Sequence, residues 1–343
     1  MQSTGGTQGG GGGVGNGGGA GNGGSAGGGG TAMSLVAPGQ VPLDHTPELT
    51  GITAAAWGGD YFFLLEPGAH QFWQVEPDTG SVTGPFALPN VMLVPHAFGA
   101  SREFVYVVGV NKAYRVPRAG STTTPGANLA TTVSETAIGA YANGYLLIGD
   151  AQGTKTAQVF SDDTGTVSTA TKIGAIFAVA SDGLNFAFTT LGSQMLVNAV
   201  PSGPGMAANA APCSGGSVMA MDYPVSISGQ TVAWVVTAGN YMQVTFATIA
   251  QGSCAEKMLD RVLFGKPGKG APPVVGLIND NQALVFDSYE SGSGDMRLVE
   301  RRGGATPPFT VKLGGQKYPT AIVVGEQHYA FIVADNAPAM IHF

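Results

Sequence analysis

The chain has 343 residues, a formal net charge of −7 and only 11% charged residues. Its 15 Lys and Arg are spread thinly and form no basic stripe that could neutralise phosphates, which excludes nucleic acid as a partner. No run of about 18 apolar residues occurs, which excludes a membrane-spanning helix, and the length suits one large all-β domain or two average ones.

Eighteen of the first thirty residues are Gly, and the first charged side chain is Asp44. A segment of this composition buries almost nothing and loses much entropy on ordering, so residues 1–33 are expected to form a disordered Gly-rich tether. It has neither a charged n-region nor an apolar h-region and does not read as an intact signal peptide. It resembles the linker after the processing site of bacterial envelope or lipoprotein-type proteins, without the cysteine such a lipoprotein carries. A trimmed leader or an upstream start would account for that, and a cytoplasmic protein with an odd tail is the alternative. With so little charge, Ser, Thr, Asn, Gln and Gly must cover much of the surface, as is common on exported proteins.

Residues 34–49, SLVAPGQVPLDHTPEL, contain a short apolar strand interrupted by Pro and Gly, which suits an edge position. From there one unit recurs. Gly59 to Gly80, GDYFFLLEPGAHQFWQVEPDTG, reads as strand, turn, strand and tight acidic turn, and Asn143 to Gly165 is its nearest copy. Strands following a short turn start at Tyr61, Phe104, Tyr145, Leu184, Thr231, Gln282 and His328, at spacings of 43, 41, 39, 47, 51 and 46 residues. A further strand follows each: QFWQV, KAYRV, TAQVF, QMLVN, YMQVTF, MRLVE and AMIHF. Ahead of each comes a strand rich in small residues: 52–56, 91–95, 136–141, 175–180, 224–228, 274–278 and 320–324. Small residues suit crowded inner strands, and the aromatics Phe62, Phe63, Trp73, Tyr106, Phe186, Trp234 and Phe331 on the middle strands suit the space between sheets. A strand-rich period in the forties is the signature of a propeller blade of roughly four strands; helical repeats would place apolar residues at i, i+3, i+4 and i+7. The last unit ends at Phe343 after its third strand, so the segment 34–49 is expected to supply the missing outer strand.

On these residues the chain from about Ser34 to Phe343 resembles a β-propeller of the divergent bacterial kind, similar to the YVTN and quinoprotein-like families. The expected fold is all-β, a seven-bladed β-propeller with four-stranded blades over residues 34–343, closed by an N-terminal strand. No WD dipeptide marks the blade ends and no Kelch double glycine occurs, so the resemblance implies architecture and carries no functional residues.

The candidate chemistry is sparse. Asp78-Thr79-Gly80 and Asp162-Asp163-Thr164-Gly165 lack the alternating oxygen ligands of a calcium loop and read as hairpin turns. His45, His70, His96, His328 and His342 form no HxH or HExxH motif, and GKPGKG at 265–270 lacks the Ser or Thr of a phosphate loop. No GxSxG elbow occurs. Cys213 and Cys254 have no zinc-ligand spacing and lie in loop-like contexts, APCSGG and QGSCAEK, in successive units. A disulfide between them is expected for an exported chain, with two buried thiols as the alternative. Turns between second and third strands share a face with the blade-to-blade links. That rim is expected to show His70, Asn111, Lys112, Asp150, Gln152, Asn240, Tyr289, Glu290 and Asp335. Near the axis, only His96 and Glu135 offer ionisable groups at inner-strand ends.

Two functions fit these residues. The first is a non-enzymatic binding or scaffold module of the bacterial envelope or exterior, a monomer with an unknown protein or glycan ligand and neither metal nor cofactor. The second is an enzyme with a site at the axial channel, in the manner of propeller lactonases, lyases or quinoprotein dehydrogenases.

Overall fold

The structure is a computed structural model. It describes residues 39–44, 49–129, 138–142, 145–149, 156–161, 165–166, 171–172, 176–181, 185–190, 194–199, 211–212, 225–238, 241–250, 253–264, 274–290, 293–307, 309–312, 319–325, 328–334 and 338–343. All of them belong to one compact unit, Ala37–Phe343.

The chain begins with β1 (Gly39–Val41) and then lays down antiparallel sheets one after another. Sheet 1 is β2 (Ala54–Trp57), β3 (Phe62–Glu66), β4 (Gln71–Val75) and β5 (Val82–Ala87). Sheet 2 is β6 (Leu93–Ala100), β7 (Phe104–Gly109), β8 (Lys112–Pro117) and β9 (Gly126–Asn128). Sheet 3 is β10 (Ile138–Ala142), β11 (Tyr145–Gly149), β12 (Thr156–Ser161) and β13 (Thr171–Lys172). Sheet 4 is β14 (Ile176–Ser181), β15 (Asn185–Thr190), β16 (Gln194–Ala199) and β17 (Ala211–Pro212). Sheet 5 is β18 (Val225–Ser228), β19 (Thr231–Ala238), β20 (Tyr241–Ala250) and β21 (Ser253–Phe264). Sheet 6 is β22 (Val275–Asn279), β23 (Gln282–Glu290), β24 (Ser293–Glu300), β25 (Gly304–Ala305) and β26 (Phe309–Lys312). Sheet 7 is β27 (Pro319–Val324), β28 (Tyr329–Ala334) and β29 (Ala339–His342), with β1 as its outermost member.

The packing explains why the second strands are solid apolar runs rather than alternating ones. Phe62, Phe63, Leu64 and Leu65 in β3 are all fully buried. Phe63 and Leu65 point into a core shared with sheet 2, beside Val105, Val107 and Tyr114. Phe62 and Leu64 point the other way, into a core shared with sheet 7, beside Phe331, Val333 and Met340. Sheet 1 is sandwiched between sheets 2 and 7, so both faces of β3 must be apolar. Burying each of these side chains stabilises the fold by roughly 1.5–3 kcal/mol. The same division recurs between sheets 5 and 6, where Val235 and Phe246 meet Leu277 and Val285, and between sheets 6 and 7, where Phe286 and Leu298 meet Ile332 and Ile341.

The first strands carry small residues because they crowd one another. β2 lies against β6, β6 against β10, and so on through β14, β18, β22 and β27, and β27 lies against β2. At Gly276 in β22 a Cβ would sit 2.7 Å from Ile322 Cγ2 and 2.8 Å from Val324 Cγ2, so only glycine lets β22 approach β27.

β1 pairs with β29 through Gly39↔His342, Gln40↔Ile341 and Val41↔Met340. The segment then crosses to sheet 1, where the Asp44 amide donates to the Gly80 carbonyl at 3.0 Å. Gly80 has φ 71 and sits against the Pro42 carbonyl, leaving no room for a side chain. On the same seam the rings of Phe62 and Phe331 lie 5.6 Å apart, and the Tyr329 phenol lies near the Asp78 carboxylate.

Four local expectations need correcting. The first strand of sheet 2 runs over Leu93–Ala100, not 91–95. Its register jumps between Leu93 and Phe98, a bulge containing Pro95, which has no N–H for the ladder. In sheet 6 the outer strand is split into β25 and β26, both paired with β24. Thr306, at the break, bonds Leu298 through both its amide and its hydroxyl. Tyr289 and Glu290, expected on a turn of the rim, lie in strand β23, with Tyr289 opposite Gly294 and Glu290 opposite Ser293. Cys254 lies in strand β21, opposite Ile249, rather than in a loop.

Candidate functional site

Antiparallel order puts the turns between first and second strands, and between third and fourth, at one end of each sheet. The second-to-third turns and the sheet-to-sheet links share the other end. The rim expected from sequence is at the second end. His70 there has φ 52, caps a short 3-10 turn at Pro67–Ala69 and donates its amide to the Pro67 carbonyl at 3.2 Å. Its Nδ1 is buried without a partner among the described residues. Asn111 is exposed, and its carbonyl accepts from the Leu129 amide at 2.9 Å. Lys112 opens β8 opposite Asn128. Tyr289 and Glu290 are strand residues, as above. Asp150, Gln152, Asn240, Asp335 and Glu135 lie outside the described residues. Cys213 does too, so its bond to Cys254 stays an expectation. His96 sits in the β6 bulge, exposed, with Nδ1 3.2 Å from the Thr53 carbonyl. Among the described residues, no group of three His, Cys, Asp or Glu could hold a metal.

The better-built feature lies at the opposite end, between sheets 5 and 6. Arg301 follows β24 directly and reaches back across the seam. Its Nε donates to Asp260 Oδ2 and pairs with that carboxylate. Its Nη2 donates to Thr248 Oγ1 at 2.8 Å, and its Nη1 lies 3.5 Å from Thr231 Oγ1. Only 9% of the Arg301 side chain is exposed, so the guanidinium is held by geometry rather than floating in solvent. Arg118 plays the same part between sheets 1 and 2. It follows β8, donates from Nη1 to Asp60 Oδ2 at 2.9 Å and from Nη2 to the Ser101 and Gly58 carbonyls at 2.8 and 3.0 Å, and lies over the Phe63 ring. Both arginines stand two residues after a valine, in VPRAG and VERRGG, where a third strand ends. That shared position was the available sequence signal.

Above this clasp the turns Asn279–Gln282 and Glu300–Gly303 line an open cleft of about 580 Å³. Four of its eight lining residues are charged, against 11% in the whole chain, and three more are Asn or Gln. Part of this polarity holds the floor together. Asn279 Nδ2 donates to Gln282 Oε1, Asn279 Oδ1 accepts from the Asn281 amide, Gln282 Nε2 donates to Glu300 Oε1, and the Arg301 amide donates to the Asn281 carbonyl. Beside the cleft, β20 and β21 form the longest hairpin described, 10 and 12 residues, and Arg301 grips it at Thr248 and Asp260.

The ordered series of antiparallel sheets, packed one on the next, defines a β-propeller. Known structures agree. The WD40 domain of Neurospora crassa Pan2 matches with a TM-score of 0.57 at 9% identity, over 85% of this chain and 89% of that one. Kuenenia stuttgartiensis hydrazine synthase matches with a TM-score of 0.56 at 12% identity, over 88% and 98%. PorZ of Porphyromonas gingivalis, a bacterial surface component of the type-IX secretion system, matches with a TM-score of 0.56 at 10% identity, over 88% of this chain and 37% of PorZ. At such identities the likeness shows the fold alone. No protein-family model matches the chain, and no curated protein matches it in sequence. Among the described residues, no helix is long and apolar enough to cross a membrane.

Proposed function

We propose that this chain is a seven-bladed propeller, closed by its N-terminal strand, that serves as a non-enzymatic binding or scaffold module in the bacterial envelope or outside the cell. Closure is supported by the pairing of β1 with β29 and by the contact of β27 with β2. The Gly-rich residues 1–33 would act as the tether. The observation that carries the binding role is the cleft between sheets 5 and 6. There, charge otherwise scarce in the chain is gathered on turns held by the buried Arg301 clasp. Rigid scaffolds with polar turns are suited to presenting a surface rather than to closing over a substrate. PorZ, a surface component with the same fold, makes an envelope location a reasonable setting.

The test is fractionation of the native host with an antibody to the chain, followed by cross-linking of the envelope and mass spectrometry. The chain should be found in the envelope or medium, cross-linked to a defined partner or polymer. A chain confined to the cytosol, or one that cross-links to nothing above a denatured control, would refute the reading.

A further inference from the structure

The cleft between sheets 5 and 6 divides into groups that are spent and groups that are not. Asn279, Gln282, Glu300 and Arg301 are engaged with one another or with sheet 5. The Asp280 carboxylate, the Asn281 side-chain amide and the Arg302 guanidinium have no hydrogen bond or ion pair among the described residues, and all three residues are exposed. The backbones beneath them are fixed. The Asp280 carbonyl accepts from Thr231 Oγ1 in sheet 5, the Asn281 amide is bonded to Asn279, and Arg302 stands between the clasped Arg301 and Gly303, whose amide donates to the Glu300 carbonyl.

We infer that this cleft is a binding site for a neutral saccharide, with Asp280, Asn281 and Arg302 as its contact residues. The inference rests on the binding-module reading above and gives it a ligand class. A carboxylate accepts from two neighbouring hydroxyls in charge-assisted bonds, while an amide and a guanidinium supply the donors that hydroxyl and ring oxygens need. Peptide recognition is disfavoured because the lining is open and contains no aliphatic or aromatic side chain, whereas protein hot spots cluster in well-packed, desolvated pockets rich in Trp, Tyr and Arg. A purely anionic ligand is disfavoured because Arg301 is already paired with Asp260, which leaves Asp280 and Glu300 against Arg302 alone. The lack of an aromatic platform also sets the strength: binding of a single sugar unit should fall in about the millimolar range. Useful retention would then come from a polymer engaging many copies on a surface.

The experiment is saturation-transfer NMR on the full chain with D-glucose, D-galactose, D-mannose, N-acetyl-D-glucosamine and their β-linked disaccharides, and with D-glucuronate as the anionic arm. At least one neutral sugar should receive transfer, and its binding should weaken about tenfold or more in Asp280→Ala and in Arg302→Ala. Thr83→Ala, on the exposed outer strand of sheet 1, should bind as the wild type does. All three positions are exposed, and a thermal melt checks that each variant folds. If no neutral sugar binds, or if only glucuronate does, the saccharide assignment is overturned. If a neutral sugar binds the double variant Asp280→Ala, Arg302→Ala as tightly as the wild type, the site is wrong. In either case a cross-linked envelope protein would leave the binding-module reading standing, so the two can fail separately.

Discussion

Arg301→Ala should destabilise the propeller by about 2–3 kcal/mol. The figure comes from where the groups sit. An exposed ion pair contributes at most about 1 kcal/mol, and breaking a fully buried one costs about 3–5 kcal/mol. Arg301 is only 9% exposed, but its partner Asp260 is 33% exposed, so water can reach the carboxylate once the arginine is gone. That places the loss between the two limits. The variant also frees the Thr248 hydroxyl from its bond to Nη2. With an unfolding entropy of about 2.1 cal/mol/K per residue and roughly 300 ordered residues, the midpoint should fall by about 3–5 °C. Differential scanning calorimetry of the wild type, Arg301→Ala, Asp260→Ala and the double variant measures this as a cycle. Asp260→Ala should cost less than Arg301→Ala, because the arginine keeps its threonine partners, and the pair should couple by about 1 kcal/mol or more. An Arg301→Ala melt within about 0.5 kcal/mol of the wild type, as for an ordinary surface change, would refute the clasp.

Deleting residues 1–30 should leave the melt unchanged, whereas deleting 1–48 removes β1 and the Asp44–Gly80 bond and exposes the β29 edge. The longer deletion should lower the midpoint and give concentration-dependent oligomers in light scattering; identical behaviour of both would mean that β1 does not close the ring. Gly276→Ala places a Cβ 2.7 Å from Ile322 Cγ2 and should cost about 1–3 kcal/mol by overpacking. Ile322→Ala should then cost less in that background than in the wild type, and equal costs in chemical denaturation would rule out the clash. Burial, together with a hydrogen bond to Asp78 and the charge of that carboxylate, raises the Tyr329 pKa above its ordinary value of 10.0. A raised pKa favours the neutral phenol in the folded state, so its stabilising contribution is full below pH 10.0 and is lost as pH climbs through the folded value. Tyr329→Phe should lose less stability than the wild type between neutral and strongly alkaline pH, and parallel pH profiles would count against the seam contact.

The strands are legible in the amino-acid sequence. FVYVV, YLLIG, TVAWVV and QALVF begin within a residue of β7, β11, β19 and β23, because a strand sandwiched between two sheets must be apolar on both faces and so reads as an unbroken run. The spacing of those runs, and the small residues ahead of them, carried the repeat and its inner strands. Local chemistry could not place the breaks that depend on a partner strand. The β6 bulge shows only when Leu93 and Phe98 are set against β7, and the split outer strand of sheet 6 shows only when Thr306 is set against Leu298. Turn-like composition misled at Tyr289 and Glu290, which pair with Gly294 and Ser293 across the hairpin despite the Ser and Gly around them. The candidate site was hidden for the same reason. Arg301 meets Asp260 and Thr248, 41 and 53 residues away in sequence, and Arg118 meets Asp60 at a separation of 58. A charge scarce in composition says little until the fold shows which carboxylate lies beside it. Only the tertiary structure could decide which of the thinly spread polar residues lock a seam and which are left facing a cleft.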